Sequence, residues 1–199
     1  MRRWIIAGVT LMIACLATPA IAQLNASEGE EFLKAVKERD NATALRLAEE
    51  PGSRLVNYRG YDGETALHVS TRNRDLPWVG YLLKKGADPD IGDRNGDTPL
   101  IVASAMGFEE AADYFITYKA NVDATNRRGE TALIVAVQQR RPRLIELLMK
   151  AGANPDKADH AAGYTARDYA RRDSRNQQLL KLIETVKSTK KKVAGPSVN

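Results

Sequence analysis

The sequence predicts an all-α solenoid of about five stacked helix-turn-helix repeats that follows an N-terminal signal peptide. Two repeating frames carry this prediction. The first frame begins at Gly63, Gly96, Gly129 and Gly163, and it reads GETAL, GDTPL, GETAL and GYTAR. The second begins at Gly86, Lys119 and Gly152, and it reads GADPD, KANVD and GANPD. The spacing within each frame is constant to within one position. A fixed period in two frames is typical of stacked repeats.

Residues 1–22 are expected to be a secretory signal peptide outside the fold. Arg2 and Arg3 give it a positive start, residues 4–17 are largely apolar, and the small-x-small sequence AIA at 20–22 ends it. The apolar segment is shorter than the ~20 residues that a membrane-spanning helix needs. We expect cleavage after Ala22, export to the periplasm or medium, and no stable membrane insertion afterwards.

Cys15, the only cysteine, offers an alternative. The sequence MIAC at 12–15 loosely resembles the lipid-modification box of bacterial lipoproteins, in which the cysteine becomes the acylated N-terminus. Cleavage after Ala22 would instead leave a mature chain that can form no disulfide in an oxidising compartment. Its stability would then depend on packing.

Each repeat carries the residues needed for a turn and two helices. The frame glycines suit a turn conformation that other residues adopt at a cost. The threonine two positions later is suited to cap a helix; these threonines are Thr65, Thr98, Thr131 and Thr165. Pro99 fits the first helical position. Leu67, Leu100 and Leu133 are expected in the core, with Ala103 and Ala136 allowing close helix packing.

The second helices carry apolar stripes at i, i+3 and i+4, which predict one buried face. The stripes are Val79, Leu82 and Leu83; Ala112, Phe115 and Ile116; and Leu144, Leu147 and Leu148. Gly86 and Gly152 are expected to end their helices in the left-handed conformation. Lys119 replaces glycine in the repeat between them, which should cost on the order of 1 kcal/mol if the same turn forms.

Both ends of the array depart from the pattern, as caps do. At the N-terminal end, two short helices are expected, broken at Asn41 and ended by Pro51 and Gly52. Their apolar residues are Phe32, Leu33, Val36, Leu45 and Leu47. In the last repeat, Arg167 takes the leucine position.

Positive charge is concentrated at the chain ends. The formal net charge is +5, of which Arg2 and Arg3 contribute +2 and the four lysines of residues 187–199 contribute +4, which leaves −1 for residues 23–186. A nearly neutral body argues against nucleic-acid binding, because such a fold carries its own basic surface. The basic tail at 187–199 is expected to be disordered.

The repeats resemble the ankyrin family, whose period is about 33 residues and whose signature is T-P-L-H-x-A. The matching segments are TALHVS from Thr65, TPLIVA from Thr98 and TALIVA from Thr131. The resemblance covers about residues 28–186 and implies an ankyrin-repeat protein with β-hairpin tips. Together with the signal-like residues 1–22, it suggests a protein of the bacterial exported type. The implied units are approximately 28–60, 61–93, 94–126, 127–159 and 160–186, after a short linker at 23–27.

The segment 86–104 concentrates aspartates but matches no calcium loop. With Gly96 at loop position 6, Ile91 and Val102 fall at positions 1 and 12, where ligands are needed. The aspartates are instead expected to shape repeat junctions, because turn aspartates bond nearby backbone. Residues of this kind share one register of the period: Asn57, Asp90, Asp123 and Asp156.

We expect no catalytic residue, metal or cofactor. His68 and His160 are far apart in the sequence and form no zinc motif. His68 occupies the family's structural histidine position, and His160 is expected to be exposed at a repeat junction. No nucleophile motif or phosphate-binding glycine loop is present in the sequence.

The resemblance implies a protein partner, held by the hairpin tips and the exposed side of each first helix. The expected partner-binding residues are Arg59, Tyr61, Asp62, Arg72, Arg94, Asn95, Met106, Arg127, Arg128, Gln138, Gln139 and Arg140. Tyr61 and the tip arginines are the sharpest candidates, because tyrosine and arginine often anchor interfaces. The expected function is that of an exported, monomeric interaction module. The alternative is an envelope scaffold, tethered through acylated Cys15 or through the lysine tail on an anionic surface.

Overall fold

The computed structural model describes residues 18–50, 53–173 and 177–186, with side chains from Ser27 onward. The described residues form ten α-helices and one 3₁₀ turn at Leu55–Asn57. The helices are α1 (Thr18–Glu38), α2 (Asn41–Glu49), α3 (Ala66–Arg72), α4 (Leu76–Lys84), α5 (Pro99–Met106), α6 (Glu109–Thr117), α7 (Ala132–Gln138), α8 (Pro142–Lys150), α9 (Ala166–Arg172) and α10 (Gln177–Thr185). Cys15 and the basic tail lie outside the described residues.

The helices stack as five antiparallel pairs, which confirms the predicted solenoid. The first helices form one layer, in which α3, α5, α7 and α9 each contact the next, and α1 packs on α3. The second helices form the other layer, in which α4, α6, α8 and α10 contact in the same order. Each pair therefore covers the apolar side of its neighbour, as one-dimensional stacking requires.

One continuous apolar core runs between the two layers. Leu67, Leu100 and Leu133 are buried as expected, and so are Ala103 and Ala136. In the second helices the predicted stripes are buried, with Ile116 and Leu147 partly exposed at the edge of the core. Each fully buried leucine contributes roughly 1.5–3 kcal/mol, so the core dominates the stability of the stack.

The turns that precede the first helices are equivalent in each repeat. Gly63, Gly96, Gly129 and Gly163 have φ values of 71°, 77°, 78° and 67°. The threonine caps are also formed: Thr98, Thr131 and Thr165 accept backbone N–H groups at 3.1–3.3 Å. The tips are turns, not β-hairpins with strands, because among the described residues the only β-type pairing is the isolated bridge between Thr125 and Thr131.

The junction residues connect neighbouring repeats through a hydrogen-bond ladder. The side chains of Asn57, Asp90 and Asp123 accept backbone N–H groups of the next repeat, each at 2.7 Å. The donors are Asp88, Asn121 and Asn154. Within the segment 86–104, Asp90 therefore connects two repeats, and the side chains of Asp88 and Asp93 accept hydrogen bonds from nearby backbone N–H groups, as predicted.

Several local expectations need correction. Residues 23–27, expected as a linker, are helical within α1. The break between α1 and α2 lies at Arg39 and Asp40, because Asp40 caps α2 through Thr43 N–H at 3.2 Å and Asn41 is already helical. Leu45, one of the apolar residues from which the N-terminal helices were predicted, is 38% exposed.

Arginines occupy left-handed positions between the two helices of three repeats, which the sequence did not predict. Arg39, Arg74 and Arg140 have φ values of 60°, 53° and 53°. Arg39 donates to the carbonyl of Asn73 at 2.6 Å, and Arg74 donates to the carbonyl of Met106 at 3.3 Å. Each bond reaches the end of the next repeat's first helix, so these arginines connect repeats on the side away from the tips.

Candidate functional site

The tips and the exposed sides of the first helices border one surface, which we call the concave face. Two contacts show that they meet. Arg72 of α3 is ion-paired with Glu64 of its own tip and with Asp93 of the next tip, the latter at 3.0 Å. Gln138 of α7 donates to Glu130 of its own tip at 3.3 Å. The sequence-predicted tip residues and inner-helix residues are therefore brought together.

The guanidinium groups of Arg72 and Arg128 are held by carboxylates that lie beneath them. Arg72 is 38% exposed at its side chain, whereas its partner Asp93 is 4% exposed. Arg128 is 65% exposed and contacts Glu130, which is 12% exposed, at 2.6 Å. The guanidinium groups consequently face solvent in fixed positions. Asp93 and Glu130 are covered, whereas Glu64, the second acidic partner of Arg72, is 31% exposed.

In the fourth tip, the carboxylate of Glu130 accepts hydrogen bonds from three side chains. Burial acts to raise the pKa of its carboxyl group, but hydrogen bonds from Asn126, Arg128 and Gln138 outweigh burial, so the pKa is lowered from its ordinary value of 4.5. The same ion pair raises the pKa of Arg128. Both groups therefore stay charged at neutral pH.

The outer parts of the tips are linked to one another through their backbones. The backbone N–H groups of Arg94 and Arg127 donate to the carbonyls of Asp62 and Asn95 in the preceding tips at 2.8 and 2.9 Å. Tyr61 stands at the end of this row and is 89% exposed. A row of linked tips can present side chains to a partner at fixed spacing.

The tip arginines differ in how they are held. Arg59 donates to the carbonyl of Gly92 at 2.9 Å. Arg94 donates to the carbonyl of Tyr61 at 2.9 Å and pairs with the exposed Asp62 at 3.0 Å. Arg127 is exposed beside Arg128.

Three predicted site residues lie away from the tips. Met106 is the last residue of α5, Gln139 caps the end of α7, and Arg140 follows it. Because a helix of two turns is about 10 Å long, these residues are about that far from the tip of their repeat. Arg140 is also held by Asp173 through bonds of 2.6 and 3.0 Å. Gln139 and Arg140 therefore lie at the far edge of the concave face, whereas Met106 also lines an open groove on that face.

Two open grooves lie on the concave face. The central groove has a volume of about 380 Å³ and is lined by residues that include Arg72, Asp97, Val102, Ala105, Arg128 and Val135. The second has a volume of about 450 Å³ and lies between α1 and the tip of the second repeat, where Leu33, Lys34, Tyr61 and Glu64 line it. Sequence reasoning missed Val102, Ala105 and Val135, because apolar residues of a first helix were assigned to the core.

His68 has a structural role. Its Nδ1 atom lies 3.1 Å from the backbone N of Thr65, and its Nε2 atom lies 2.8 Å from the carbonyl oxygen of Asp97. Because that carbonyl can only accept, the proton is on Nε2 and Nδ1 accepts. Burial lowers the pKa of His68, which keeps the imidazole neutral. His160, by contrast, is exposed at a junction.

The described part of the chain contains no cluster of three or more histidine, cysteine or acidic side chains arranged to bind a metal. Within the same residues, no helix combines the length and apolar character needed to cross a membrane.

Comparisons with known proteins agree with this architecture. A family profile described as "Ankyrin repeats (3 copies)" matches residues 10–126 and 81–159. The nematode protein "ANK repeat-containing protein nipk-1" of Caenorhabditis elegans is 30% identical over 159 residues, which is 72% of this chain and 26% of that protein. The human "SH3 and multiple ankyrin repeat domains protein 2" is 34% identical over 79 residues, 40% of this chain and 4% of that protein.

A third relative carries an enzyme's name. "L-asparaginase" of Dirofilaria immitis is 38% identical over 55 residues, which is 28% of this chain and 9% of that protein. The chain thus spans about a quarter of the Caenorhabditis relative's length and less than a tenth of the other two.

Proposed function

The chain belongs to the ankyrin-repeat family, and on that premise we propose that it is an exported, non-enzymatic module that binds a protein partner through its concave face. Ankyrin repeats generally mediate protein–protein interaction. The observation that carries the proposal is the row of linked tips, in which exposed side chains are held in register by backbone hydrogen bonds of 2.7–2.9 Å. Preorganised side chains lose little entropy on binding, which favours affinity.

The composition of the face supports a protein ligand. Tyr61 and the arginines Arg94, Arg127 and Arg128 are exposed along the tips, and these residue types are enriched among energetic anchors of interfaces. The signal-like residues 1–22 support export of this module to the periplasm or medium.

A tethered scaffold is the second candidate. Cys15 in its MIAC sequence and the four lysines of residues 187–199 favour it, since acylation or an anionic surface would then hold the repeats at the envelope. The two candidates differ in the mature N-terminus. The intact mass of the natively processed protein should correspond to a chain that begins at Gln23; a chain that begins at an acylated Cys15 would replace the first proposal with the second.

The interaction itself is tested by crosslinking in intact cells, followed by capture of the identified partner on purified variants. The test variant carries Arg94→Glu, Arg127→Glu and Arg128→Glu. A matched control, Lys84→Glu, Arg143→Glu and Lys181→Glu, changes the net charge equally at exposed positions of the second helices. We expect wild type and control to recover the partner and the tip variant to lose it by about tenfold or more. Equal recovery by all three proteins contradicts the proposal.

A further inference from the structure

The central groove lies where one short side chain interrupts a row of long ones. The row consists of Arg72, Ala105, Gln138 and Arg172, which occupy equivalent positions in the last turn of successive first helices. All four residues are exposed. Because the alanine side chain ends at Cβ, it leaves open the space that an arginine or glutamine side chain occupies in the other repeats. The groove is therefore a gap in a row that is otherwise filled.

Each long side chain of this row contacts the tip residue that lies eight positions earlier in the sequence. These contacts join Arg72 to Glu64, Gln138 to Glu130 at 3.3 Å, and Arg172 to Tyr164 at 2.6 Å. In the third repeat the corresponding residues are Asp97 and Ala105, and the side chain of alanine can donate no hydrogen bond. Among these four tip residues, Asp97 alone therefore lacks a contact from its own first helix.

The carboxylate of Asp97 lines the groove and is only partly satisfied. Its Oδ1 atom accepts from Asn126 at 2.8 Å, and among the described residues it forms no ion pair. The pKa of Arg128 is raised chiefly by its hydrogen bond with Glu130 and less by the charge of Asp97, so Arg128 attracts Asp97 but is bonded to Glu130. Because a carboxylate accepts through both oxygens, the Oδ2 atom of Asp97 can bind a further donor.

Carboxylates outnumber guanidinium groups around the groove. Among the described residues, the charged groups that line it or pair with a lining residue are two arginines and four acids, namely Arg72, Arg128, Glu64, Asp93, Asp97 and Glu130. Arg127 is exposed at the fourth tip but does not line the groove, and the acids are in excess even when it is counted. This balance favours a cationic occupant over an anionic one.

The floor of the groove is apolar and suits a methylene chain. Val102 and Val135 are buried beneath it, and Ala105 and Met106 also line it. Arginine and lysine side chains lay their methylene stems along apolar surface while the charged end reaches a polar group. The second repeat contains an example of the charged contact, because the guanidinium group of Arg72 bridges the acids of two successive tips.

We propose that the central groove receives an arginine side chain of the protein partner, whose guanidinium group bonds the Oδ2 atom of Asp97 while its stem lies on Val102 and Val135. This inference rests on the proposed function and names the partner's chemistry. The partner supplies to the third repeat the group that Arg72 supplies to the second. Arginine fits better than lysine, because its planar fork of donors matches a carboxylate.

Two protein variants test the role of Asp97. Asp97→Asn removes the charge and keeps a side-chain oxygen that can accept from Asn126. Asp88→Asn is the matched control, because it removes an equal charge at an exposed residue outside the groove and introduces the residue present at the equivalent positions Asn121 and Asn154. Circular dichroism and thermal unfolding should show both variants folded as the wild type.

The probe comes from a phage-displayed library of random dodecapeptides, selected on the wild-type protein and counter-selected on Ala105→Gln. That substitution fills the groove with the uncharged residue that the fourth repeat has at position 138. We expect the enriched peptides to contain arginine. The most enriched sequence is then synthesised in two fluorescent forms, one with this arginine and one with citrulline, which has nearly the same shape but no charge.

Fluorescence polarisation measures the binding of both peptides. The arginine peptide should bind Asp97→Asn at least about tenfold more weakly than wild type, and Asp88→Asn within about twofold of wild type. Citrulline should weaken binding to wild type by about tenfold but binding to Asp97→Asn by no more than about twofold, because the charge that attracts arginine is already absent there.

Three results would overturn the inference: enriched peptides without arginine, equal binding of the arginine peptide to wild type and Asp97→Asn, or an equal effect of citrulline on both proteins. Failure here is distinguishable from failure of the proposed function. If the tip variant loses the crosslinked partner while Asp97→Asn retains it, partner binding by the concave face stands and only the groove's role is wrong.

Discussion

The third repeat and its two neighbours have the same fold but different surfaces. In the second and fourth repeats, Arg72 and Gln138 connect the first helix to its tip. In the third, Ala105 leaves that connection open above an apolar floor. The core positions do not differ in this way, because Leu67, Leu100 and Leu133 are equally buried. Residues that recur from repeat to repeat form the core of the stack, and residues that differ between repeats shape the grooves on its surface.

The largest effect on stability should come from a substitution at a repeated core position, and a substitution at a variable surface position of the same helix provides the comparison. Leu100→Ala and Ala105→Gln both change α5. Leu100 is 1% exposed, so its truncation should lower the free energy of unfolding by about 2–5 kcal/mol through lost transfer energy and a cavity. Ala105→Gln should leave that free energy within about 0.5 kcal/mol of wild type, because its site is at the surface.

Urea denaturation followed by circular dichroism measures both values. A loss below about 1 kcal/mol for Leu100→Ala would show that the third repeat does not depend on its buried leucine, which would contradict the stacking interpretation. Repeat proteins can unfold in parts, so two spectroscopic probes should give the same transition before the values are compared.

The scaffold was largely predictable from the sequence because its determinants are local. A glycine at positive φ, a threonine cap and a leucine four positions after the glycine each have their effect within one repeat, and the constant repeat period aligns them. The junction ladder was predictable for the same reason, since Asp90 and Asp123 occupy one register. Apolar character alone does not place a residue in the core, since Leu45 of the terminal α2 is 38% exposed.

The site was only partly predictable because it depends on three repeats at once. The tip arginines could be named from the family pattern, but not which carboxylate lies beneath each of them. The groove depends on the length of Ala105 relative to Arg72 and Gln138, which matters only when the three helices lie side by side. The repeat register could have identified it: position 105 is the one small residue in that row of exposed polar ones.

The next-largest effect should come from the fourth repeat, where Gln138 of the first helix donates to Glu130 of the tip. Glu130→Gln removes the charge that Arg128 and Asn126 stabilise, and the free energy of unfolding at pH 7 should fall by about 1–2 kcal/mol. Burial works against this carboxylate, yet its hydrogen bonds lower the pKa below the ordinary 4.5. The stabilisation is therefore complete above pH 4.5 and is lost as pH falls through that value towards the lower pKa of the folded protein.

The measurement is chemical denaturation of wild type and Glu130→Gln between pH 7 and pH 3. The difference between the two proteins should be constant down to about pH 5 and should shrink below about pH 4.5 as the wild type loses the charge. A difference that stays constant to pH 3 would show that the carboxylate's charge contributes nothing to the bridge. Gln138→Ala serves as the control, since it removes one hydrogen bond without removing the charge.

The smallest effect should come from restoring glycine at position 119, where the third repeat differs from its neighbours at the end of its second helix. Lys119 has a φ of 68°, and Gly86 and Gly152 have φ values of 85° and 90° at the equivalent positions. The hydrogen bonds are the same in all three, because the residue after each donates to a carbonyl five positions earlier at 2.9–3.0 Å. Lys119 therefore adopts the same left-handed conformation as Gly86 and Gly152, and this conformation is sterically unfavourable for a residue with a side chain.

Lys119→Gly should consequently raise the free energy of unfolding by about 0.5–1 kcal/mol, visible as a higher midpoint in urea. Part of the steric gain is offset by the greater freedom of glycine in the unfolded chain, which limits the effect to this size. Lys119→Ala separates backbone from charge, because it removes the lysine but keeps the unfavourable φ, so it should give no gain. If both substitutions stabilise equally, the charge of Lys119 and not its left-handed backbone is what distinguishes this joint from its neighbours.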